Sequence, residues 1–404
     1  MTYSEPQIFG ELTFVFSSGE IQPPDGYYAL AGVVPKNEPM TWVKETNPGS
    51  GALAKPTDWT DIWWASPDSD HAHQGWRLVA PAGYQTLSDV WEWPDDAPIL
   101  EDRQWLGWVP WQHIRCVKET INDRRYTALG SKIYADKQEY FPCTVAPEVI
   151  PDSTGILLAP GACAWLWQEW SQAGLAPGDV YVLDLPVPAA SEGDLAPPVL
   201  HSFEDVPQTQ SQVTDRIVTV PCTAIIDKGQ SPEWIVKNSP VYTVQRERLY
   251  DLVVSLYNQT DVEDEIGNDV TEGVTTTDSK AFHETVGMKV GFEVGIQAEG
   301  IGAKVSGEIS KEMGYSQEHS VSVMQENSVH ATAKAAPKKT TALYSETHTL
   351  RAYRMDGTQA SQQNGLTFHA GKQYATCQYP PAASDQDLPE VTLRRVGSSQ
   401  EDVG

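Results

Sequence analysis

One long stretch of the chain, from Val286 to Tyr315, alternates between apolar and polar residues. Every second residue is apolar as far as Ala298, the phase shifts by one position around Glu299–Gly302, and the alternation then resumes. The apolar positions are Val286, Met288, Val290, Phe292, Val294, Ile296, Ala298, Ile301, Ala303, Val305, Ile309 and Met313. A period of two is typical of a strand with one apolar face, so two such strands joined by a glycine-containing turn predict an amphipathic β-hairpin.

The length of this hairpin indicates a membrane-inserting element. Each arm has about 13 alternating residues, more than an ordinary strand of about 5–6 residues and more than the roughly 9–11 that cross a bilayer. We expect the apolar face to meet lipid and the polar face to line water. Several copies must close a ring, because a lone hairpin leaves its edge N–H and C=O groups unpaired in hydrocarbon.

The polar face of the hairpin predicts the ion preference of such a pore. The predicted pore-lining residues are Lys289, Glu293, Glu299, Lys304, Glu308 and Glu312. Four glutamates and two lysines leave a net charge of −2 per copy, and repeated around a ring this charge favours cations.

The rest of the chain also predicts β structure. Short apolar runs bounded by Pro, Gly, Asp and Asn recur throughout, and 29 prolines and 30 glycines leave few windows for a long helix. The best helical candidates are residues 164–172 and 245–250. The acidic stretch Asp261–Asp269 lacks the spacing of a calcium loop, so we expect a solvated loop there.

Composition divides the chain in two. Thirteen of the 14 tryptophans lie between Trp42 and Trp170, whereas glycine and threonine alternation dominates after about residue 270. We predict an N-terminal domain over residues 1–185 and a Pro/Ser-rich linker over 186–215. A C-terminal β-domain over 216–385 and a flexible tail over 386–404 follow.

A short repeat in the N-terminal domain predicts three similar β units. The sequence Pro24–Tyr27, followed by Leu30, recurs as Pro81–Tyr84, followed by Leu87, and a degraded third copy begins at Pro160. Each copy places a glycine where a turn requires positive φ. Three such units predict a pseudo-threefold prism of short sheets, because none of them can bury its apolar face alone.

The N-terminal domain resembles a known family in five separated motifs. They are found in Lys55–Asp58, Ile62–Trp63, Gly75–Trp76, Pro81–Tyr84 with Pro98, and Ile114–Val117. Over roughly residues 10–190 these resemble the Vps62 family in order and spacing. The resemblance implies a β-prism-like module, which we expect to recognise a target surface. The tryptophans are denser here than in the family pattern, notably at Trp105, Trp108 and Trp111. These three are candidate receptor contacts, or else they fill the axis of the prism.

The C-terminal domain resembles the aerolysin family of β-pore-forming proteins. Residues 285–292 are similar to the strand that enters that family's insertion hairpin, residues 320–329 to its return strand, and residues 336–340 to the turn that follows. The similarity covers about residues 240–375. It implies a soluble protein that oligomerises on a target membrane and inserts a β-hairpin.

The net charge of the chain argues against two kinds of binding. With 28 Lys and Arg against 55 Asp and Glu, the net charge is −27, so phosphates repel the surface and nucleic acid is not an expected partner. The same charge excludes a polybasic lipid anchor. The five cysteines are widely spaced and form no CxxC pair, so we expect mostly buried thiols.

No enzyme motif is present, and we expect neither catalysis nor a cofactor or metal site. The first ten residues show no secretory signal. We therefore expect the protein to be cytoplasmic in its producer, to be released by a non-classical route, and then to reach a target-cell membrane.

The sequence thus predicts a soluble β-pore-forming toxin, with insects as a candidate target. It would bind an unknown receptor (glycan, lipid or protein), assemble into a homo-oligomer, and insert residues 286–315. The alternative is a non-lytic, lectin-like oligomer that binds carbohydrate or lipid and packs the hairpin on its own domain.

Overall fold

A computed structural model describes residues 3–19, 22–35, 39–64, 74–88, 90–92, 105–109, 111–133, 143–147, 156–158, 162–163, 180–275, 277–278, 281–282, 313, 326–360, 365–382 and 388–396. The regular elements of these residues are almost entirely β-strands. The helical elements are α1 (Pro232–Asn238), two 3-10 turns, Trp111–His113 and Cys222–Ala224, and the short helical pieces at residues 277–278 and 281–282. The all-β fold class predicted from the sequence is confirmed.

The N-terminal region is built from many short strands. They are β1 (Gln7–Phe9), β2 (Leu12–Ser18), β3 (Tyr28–Ala29), β4 (Val33–Pro35), β5 (Pro39–Glu45), β6 (Leu53–Ala54), β7 (Asp58–Trp64), β8 (Gln74–Val79), β9 (Tyr84–Gln85) and β10 (Val90–Glu92). They continue with β11 (Trp105–Trp108), β12 (Cys116–Lys118), β13 (Thr120–Ile121), β14 (Arg124–Arg125), β15 (Thr127–Ile133), β16 (Cys143–Pro147), β17 (Ile156–Leu158), β18 (Ala162–Cys163), β19 (Val180–Leu185) and β20 (Ala189–Ser191). Apart from β20, these strands form small sheets, of which the largest has the order β17-β19-β15-β16-β18.

The glycine turns of the predicted repeat are present. The N–H of Tyr27 donates to the carbonyl of Pro24 at 3.0 Å, and that of Tyr84 to Pro81 at 3.1 Å. A third turn of the same form closes at Asn47–Ser50, with an N···O distance of 3.0 Å. The predicted third copy at Pro160 lies outside the described residues, and the prism arrangement stays a prediction. Sequence reasoning missed Asn47–Ser50 because a serine replaces the tyrosine of the other two copies.

The C-terminal region is built from much longer strands. They are β21 (Thr209–Pro221), β22 (Val241–Tyr257), β23 (Asp264–Glu272), β24 (Asn327–Ala335), β25 (Thr340–Arg354), β26 (Leu366–Tyr379) and β27 (Val391–Arg395). With β20 they form one sheet in the order β20-β21-β22-β25-β26-β23-β24-β27.

This sheet folds into two layers. Strands β23, β24 and β27 connect to the other five through a single parallel bridge between Glu272 and His369. An apolar cluster joins the layers, which we call the sandwich cluster. Its buried members are Ile266, Val270, Val329, Ala331, Ala333, Ala335 and Leu343, and Val254, Tyr374 and Leu393 are among the residues packed on it.

Several sequence expectations need correction in this region. Residues 245–250, a helical candidate, lie within β22, where pairing with β21 and β25 on both sides overrides the local helical tendency. Most of the acidic stretch expected to be a loop forms the start of β23, in which Asp264, Glu265 and Asp269 are exposed to solvent. Residues 391–395, assigned to the flexible tail, pair with β24 as β27.

The stretch 186–215, assigned to a linker, is also ordered against the sheet. It contains β20 and the start of β21. Phe203 packs on Tyr257 and Tyr379, with both pairs of ring centroids 4.9 Å apart. The hydroxyl of Tyr344 donates to the carbonyl of Pro207 at 2.8 Å. These contacts hold the connection on one face of the sheet.

One large apolar cluster, here called the junction cluster, extends through both regions. Its N-terminal members are Phe9, Leu12, Phe14, Phe16, Leu30, Val43, Ala52, Leu87, Val117, Ile121, Tyr126, Leu158, Leu183 and Leu185. Its C-terminal members are Val218, Val220, Cys222, Ala224, Ile225, Ile235, Val236, Val241, Tyr242, Val244, Val274, Phe282, Met313, Leu350, Ala352, Ala360, Leu366, Phe368 and Ala370. The two regions therefore share a core and are not joined only by a tether.

Candidate pore-forming module and receptor-binding residues

The predicted insertion hairpin lies between two strands that pair directly with each other. Strand β23 ends at Glu272 and β24 begins at Asn327, and these two residues are opposite each other in an antiparallel register. The chain therefore leaves the sheet and returns to it at neighbouring positions. This placement allows an alternating segment to extend an existing strand pair.

Most of the predicted hairpin residues lie outside the described residues. This holds for the apolar positions Val286, Met288, Val290, Phe292, Val294, Ile296, Ala298, Ile301, Ala303, Val305 and Ile309, and for the pore-lining positions Lys289, Glu293, Glu299, Lys304, Glu308 and Glu312. Met313 is described; its side chain is fully buried in the junction cluster. Phe282, which precedes the hairpin, is buried in the same cluster. One residue just before the predicted hairpin and one near its end are therefore packed in the core shared by both regions.

A buried carboxylate marks the point where the chain leaves β23. Glu272 accepts a hydrogen bond from the backbone N–H of Lys372 at 3.1 Å and another from the hydroxyl of Tyr374 at 2.9 Å. Strand β26 makes this possible by bulging between His369 and Tyr374, with Lys372 at a φ of 63°. Burial and the hydrogen bond to Glu272 raise the pKa of Tyr374, so the phenol stays protonated as a donor.

The five-stranded layer, made of β20, β21, β22, β25 and β26, contains an ion-pair chain that joins three of its strands. It consists of Asp215, Arg246, Arg248, Glu346 and His348. The Nε of Arg246 lies 2.8 Å from Asp215 Oδ1, and Nη1 of Arg248 lies 3.1 Å from Asp215 Oδ2. The Nε of Arg248 lies 2.7 Å from Glu346 Oε1, which is also 2.6 Å from His348 Nε2. The ion-pair chain thus connects strands β21, β22 and β25 through their side chains.

Burial and pairing determine the protonation of this chain. Burial would raise the pKa of Glu346, but hydrogen bonds from His348 and Arg248 outweigh it and hold that pKa at about 2. Burial lowers the pKa of His348 below its ordinary value of 6.5. With its pKa below 6.5, His348 is neutral at pH 7. An ionised carboxylate can only accept a hydrogen bond, so His348 donates to Glu346 through Nε2.

Sequence reasoning did not find the ion-pair chain. Five charged contacts between its own members form it, and they hold β21, β22 and β25 together. The ring of His348 also contacts Phe368 of the junction cluster, with centroids 5.5 Å apart. A signal was present in the sequence: arginines alternate at positions 246 and 248 of one strand.

The three candidate receptor tryptophans fall on one short piece of chain. Trp105 and Trp108 are the ends of β11, which pairs with β4, and Trp111 begins the following 3-10 turn. Their role in receptor binding stays a prediction. A tryptophan that sequence reasoning did not single out, Trp59 on β7, is 51% exposed. By contrast, Trp42 is fully buried and its Nε1 donates to Ser17 Oγ at 2.6 Å.

The described residues contain neither a cluster suited to a metal ion nor a helix suited to crossing a membrane. No three His, Cys, Asp or Glu side chains in this part of the chain lie close enough together to hold a metal ion. None of its helices has the length and apolar character needed to span a bilayer.

Comparison with known proteins relates the C-terminal region to a toxin family. Residues 217–370 match the family model described as "Insecticidal Crystal Toxin, P42". The match includes the predicted hairpin and the ion-pair chain from Arg246 to His348, and it covers less than half of the 404 residues. It confirms the expectation that this region is related to toxins.

The remaining comparisons add less. No curated protein matches the chain. The crystal structure of Cry35Ab1 is similar over 93% of this chain and 91% of that chain, with 10% sequence identity and a TM-score of 0.35. The resemblance of the N-terminal region to the Vps62 family stays a prediction, as does the specific resemblance to aerolysin.

Proposed function

We propose that this protein is an insecticidal β-pore-forming toxin that acts as a homo-oligomer in the membrane of a target cell. The observation that carries the proposal is the place of the alternating segment 286–315 between β23 and β24, which pair directly. The match of residues 217–370 to an insecticidal toxin family supports the target class. The buried residues Phe282 and Met313 support a soluble form in which the base of the hairpin is packed in the core.

Membrane insertion has a direct test with matched variants. Val294→Asp places a charge on the face expected to meet lipid, and Gln297→Asp places the same charge on the face expected to line water. We expect Val294→Asp to abolish dye release from insect midgut membrane vesicles, because a charged side chain on the lipid-facing side of a barrel is destabilising and every copy in the ring would carry one. Gln297→Asp should retain release. Equal activity of the two variants would contradict insertion of this segment.

Ion selectivity tests the assignment of the pore-lining residues. Planar-bilayer recordings should show preference for cations, since four glutamates and two lysines per copy face the lumen. Glu293→Lys and Glu308→Lys together should reverse the preference without abolishing conductance. Anion preference in the unmodified protein would contradict the assignment.

The N-terminal region is proposed to bind the receptor, with Trp105, Trp108 and Trp111 as contacts. Replacing all three with Ala should reduce binding to the same vesicles while leaving the CD spectrum unchanged. The alternative function, a lectin-like oligomer that does not form pores, predicts binding without dye release. In either case we propose no catalytic activity.

A further inference from the structure

The two ends of the strand order in the C-terminal sheet carry opposite charge. At one end of the strand order, β20 and the residues after it contain Glu192 and Asp194; at the other end, β27 contains Arg394 and Arg395. All four side chains are exposed. Residues 189–194 contain no basic residue, and residues 391–396 contain no acidic one. In the described part of the chain, none of the four side chains forms an ion pair.

Among the described residues, no further strand pairs with the outer side of either of these strands. The N–H of Glu192 donates inward to Asp215, and the carbonyl of Pro188 accepts from Thr219, so the backbone groups of Ala189 and Ser191 point outward. On β27 the N–H of Val396 donates inward to Ser328. By the same alternation, the backbone groups of residues 391, 393 and 395 point outward. Each edge therefore offers unpaired donors and acceptors to another strand.

Charge decides which edges can meet. Two β20 edges would bring four carboxylates together, and two β27 edges would bring four guanidinium groups together. A β20 edge and a β27 edge instead place acids beside bases. Like edges therefore repel and unlike edges attract, which favours head-to-tail contact over a symmetric dimer.

We propose that the partner of this surface is a second copy of the same chain, with the Arg394–Arg395 edge of one copy docked against the Glu192–Asp194 edge of the next. A head-to-tail contact leaves one free edge of each kind, so it continues from copy to copy until a ring closes. The inference rests on the proposed pore-forming function, which requires a ring. It identifies the surfaces that form the ring.

Charge reversal on each edge tests the proposal. The first variant is Arg394→Glu with Arg395→Glu, and the second is Glu192→Arg with Asp194→Arg. Either variant alone should lower the fraction of cross-linked oligomer on insect midgut membrane vesicles by about tenfold or more, because like charges then face each other at every contact. Lys228→Glu with Lys237→Glu is the control. It reverses two exposed lysines near and within α1 and should assemble like the unmodified protein.

Bringing acidic and basic edges back together should restore assembly. In a 1:1 mixture, the acidic β27 of the first variant meets the basic β20 of the second, and the basic β27 of the second meets the acidic β20 of the first. We therefore expect assembly to recover in the mixture, as it should when all four substitutions are combined in one chain. A symmetric contact predicts a different pattern, because like charges would then face each other both in the unmodified protein and in each single variant, so neither variant alone would lower assembly.

The outcomes separate this inference from the function on which it rests. If the unmodified protein neither assembles nor releases dye, the pore-forming function and the edge contact both fail. If it assembles and releases dye but the variants assemble equally well, or if the mixture does not recover, the edge contact alone is overturned. CD spectra and unfolding curves of each variant confirm that a loss of assembly is not a loss of folding.

Discussion

The N-terminal and C-terminal regions bury their side chains in different ways. In the N-terminal region, short strands pack large apolar residues such as Phe14, Phe16 and Trp42. In the C-terminal region, long strands also bury a connected chain of charged groups that includes Asp215 and Glu346, whereas the buried Asp184 of the N-terminal region pairs with Arg125. The contrast shows that a polar strand need not be a solvated one. Where charges pair across neighbouring strands, the interior tolerates them at the cost of strict dependence on every partner.

The largest expected effect comes from breaking the ion-pair chain. Asp215→Ala removes the carboxylate that both Arg246 and Arg248 contact, and we expect a loss of about 3–5 kcal/mol in the free energy of unfolding. Urea unfolding followed by far-UV CD measures it. Because the junction cluster joins the regions, fluorescence of the N-terminal tryptophans should report the same midpoint.

The matched control is Asp205→Ala, which removes an exposed carboxylate in the connection between the regions. It should change stability by no more than about 0.5 kcal/mol. A similar loss in both variants would mean that the ion-pair chain has no special role. Separate transitions by CD and fluorescence would mean that the two regions unfold independently in spite of the shared cluster.

The sequence predicted the features that have a local physical signal. Short apolar runs bounded by turn residues predicted β structure throughout, and the described elements are almost entirely β-strands. The repeated glycine predicted the turns at Gly26 and Gly83, both of which have a φ near 80°. These features depend only on neighbouring residues, so a single sequence reveals them.

Features that depend on distant partners were missed. Arg248 and Glu346 are 98 positions apart, and only strand pairing brings them to 2.7 Å. Nothing local in residues 391–395 indicates that they pair with β24. The helical interpretation of residues 245–250 failed for the same reason, since their neighbours in the sheet decide their conformation. The candidate insertion residues were named from alternation alone, and their roles stay predictions.

A smaller and gradual effect is expected from acid. Because burial lowers the pKa of His348 below 6.5, the unfolded chain binds a proton there more readily than the folded one. Stability should therefore be complete above pH 6.5 and fall as the pH drops below it. The low pKa of Glu346 extends the loss below pH 4.5, toward its value of about 2. The N-terminal region contains no comparable buried acid–histidine pair among the described residues.

His348→Gln isolates the contribution of the histidine, because the amide can still donate to Glu346 and cannot titrate. Unfolding free energies at pH 7.5 and pH 5.5 should differ less in this variant than in the unmodified protein. An unchanged difference would assign the acid sensitivity to other groups. Above pH 6.5 the variant should show only the cost of changing the side chain.

The smallest expected effect comes from changing a turn of the N-terminal region. Gly49 has a φ of 83°, and no atom lies within 4 Å of the position a Cβ would occupy. Gly49→Ala therefore meets no steric contact with its surroundings and reports the backbone strain alone, about 1–2 kcal/mol. Gly49→Asn should cost less, because asparagine adopts positive φ more readily. If alanine and asparagine cost the same in urea unfolding, the conformation of Asn47–Ser50 would not be what requires glycine there. The similarity of this turn to Pro24–Tyr27 and Pro81–Tyr84 would then not reflect a shared backbone requirement.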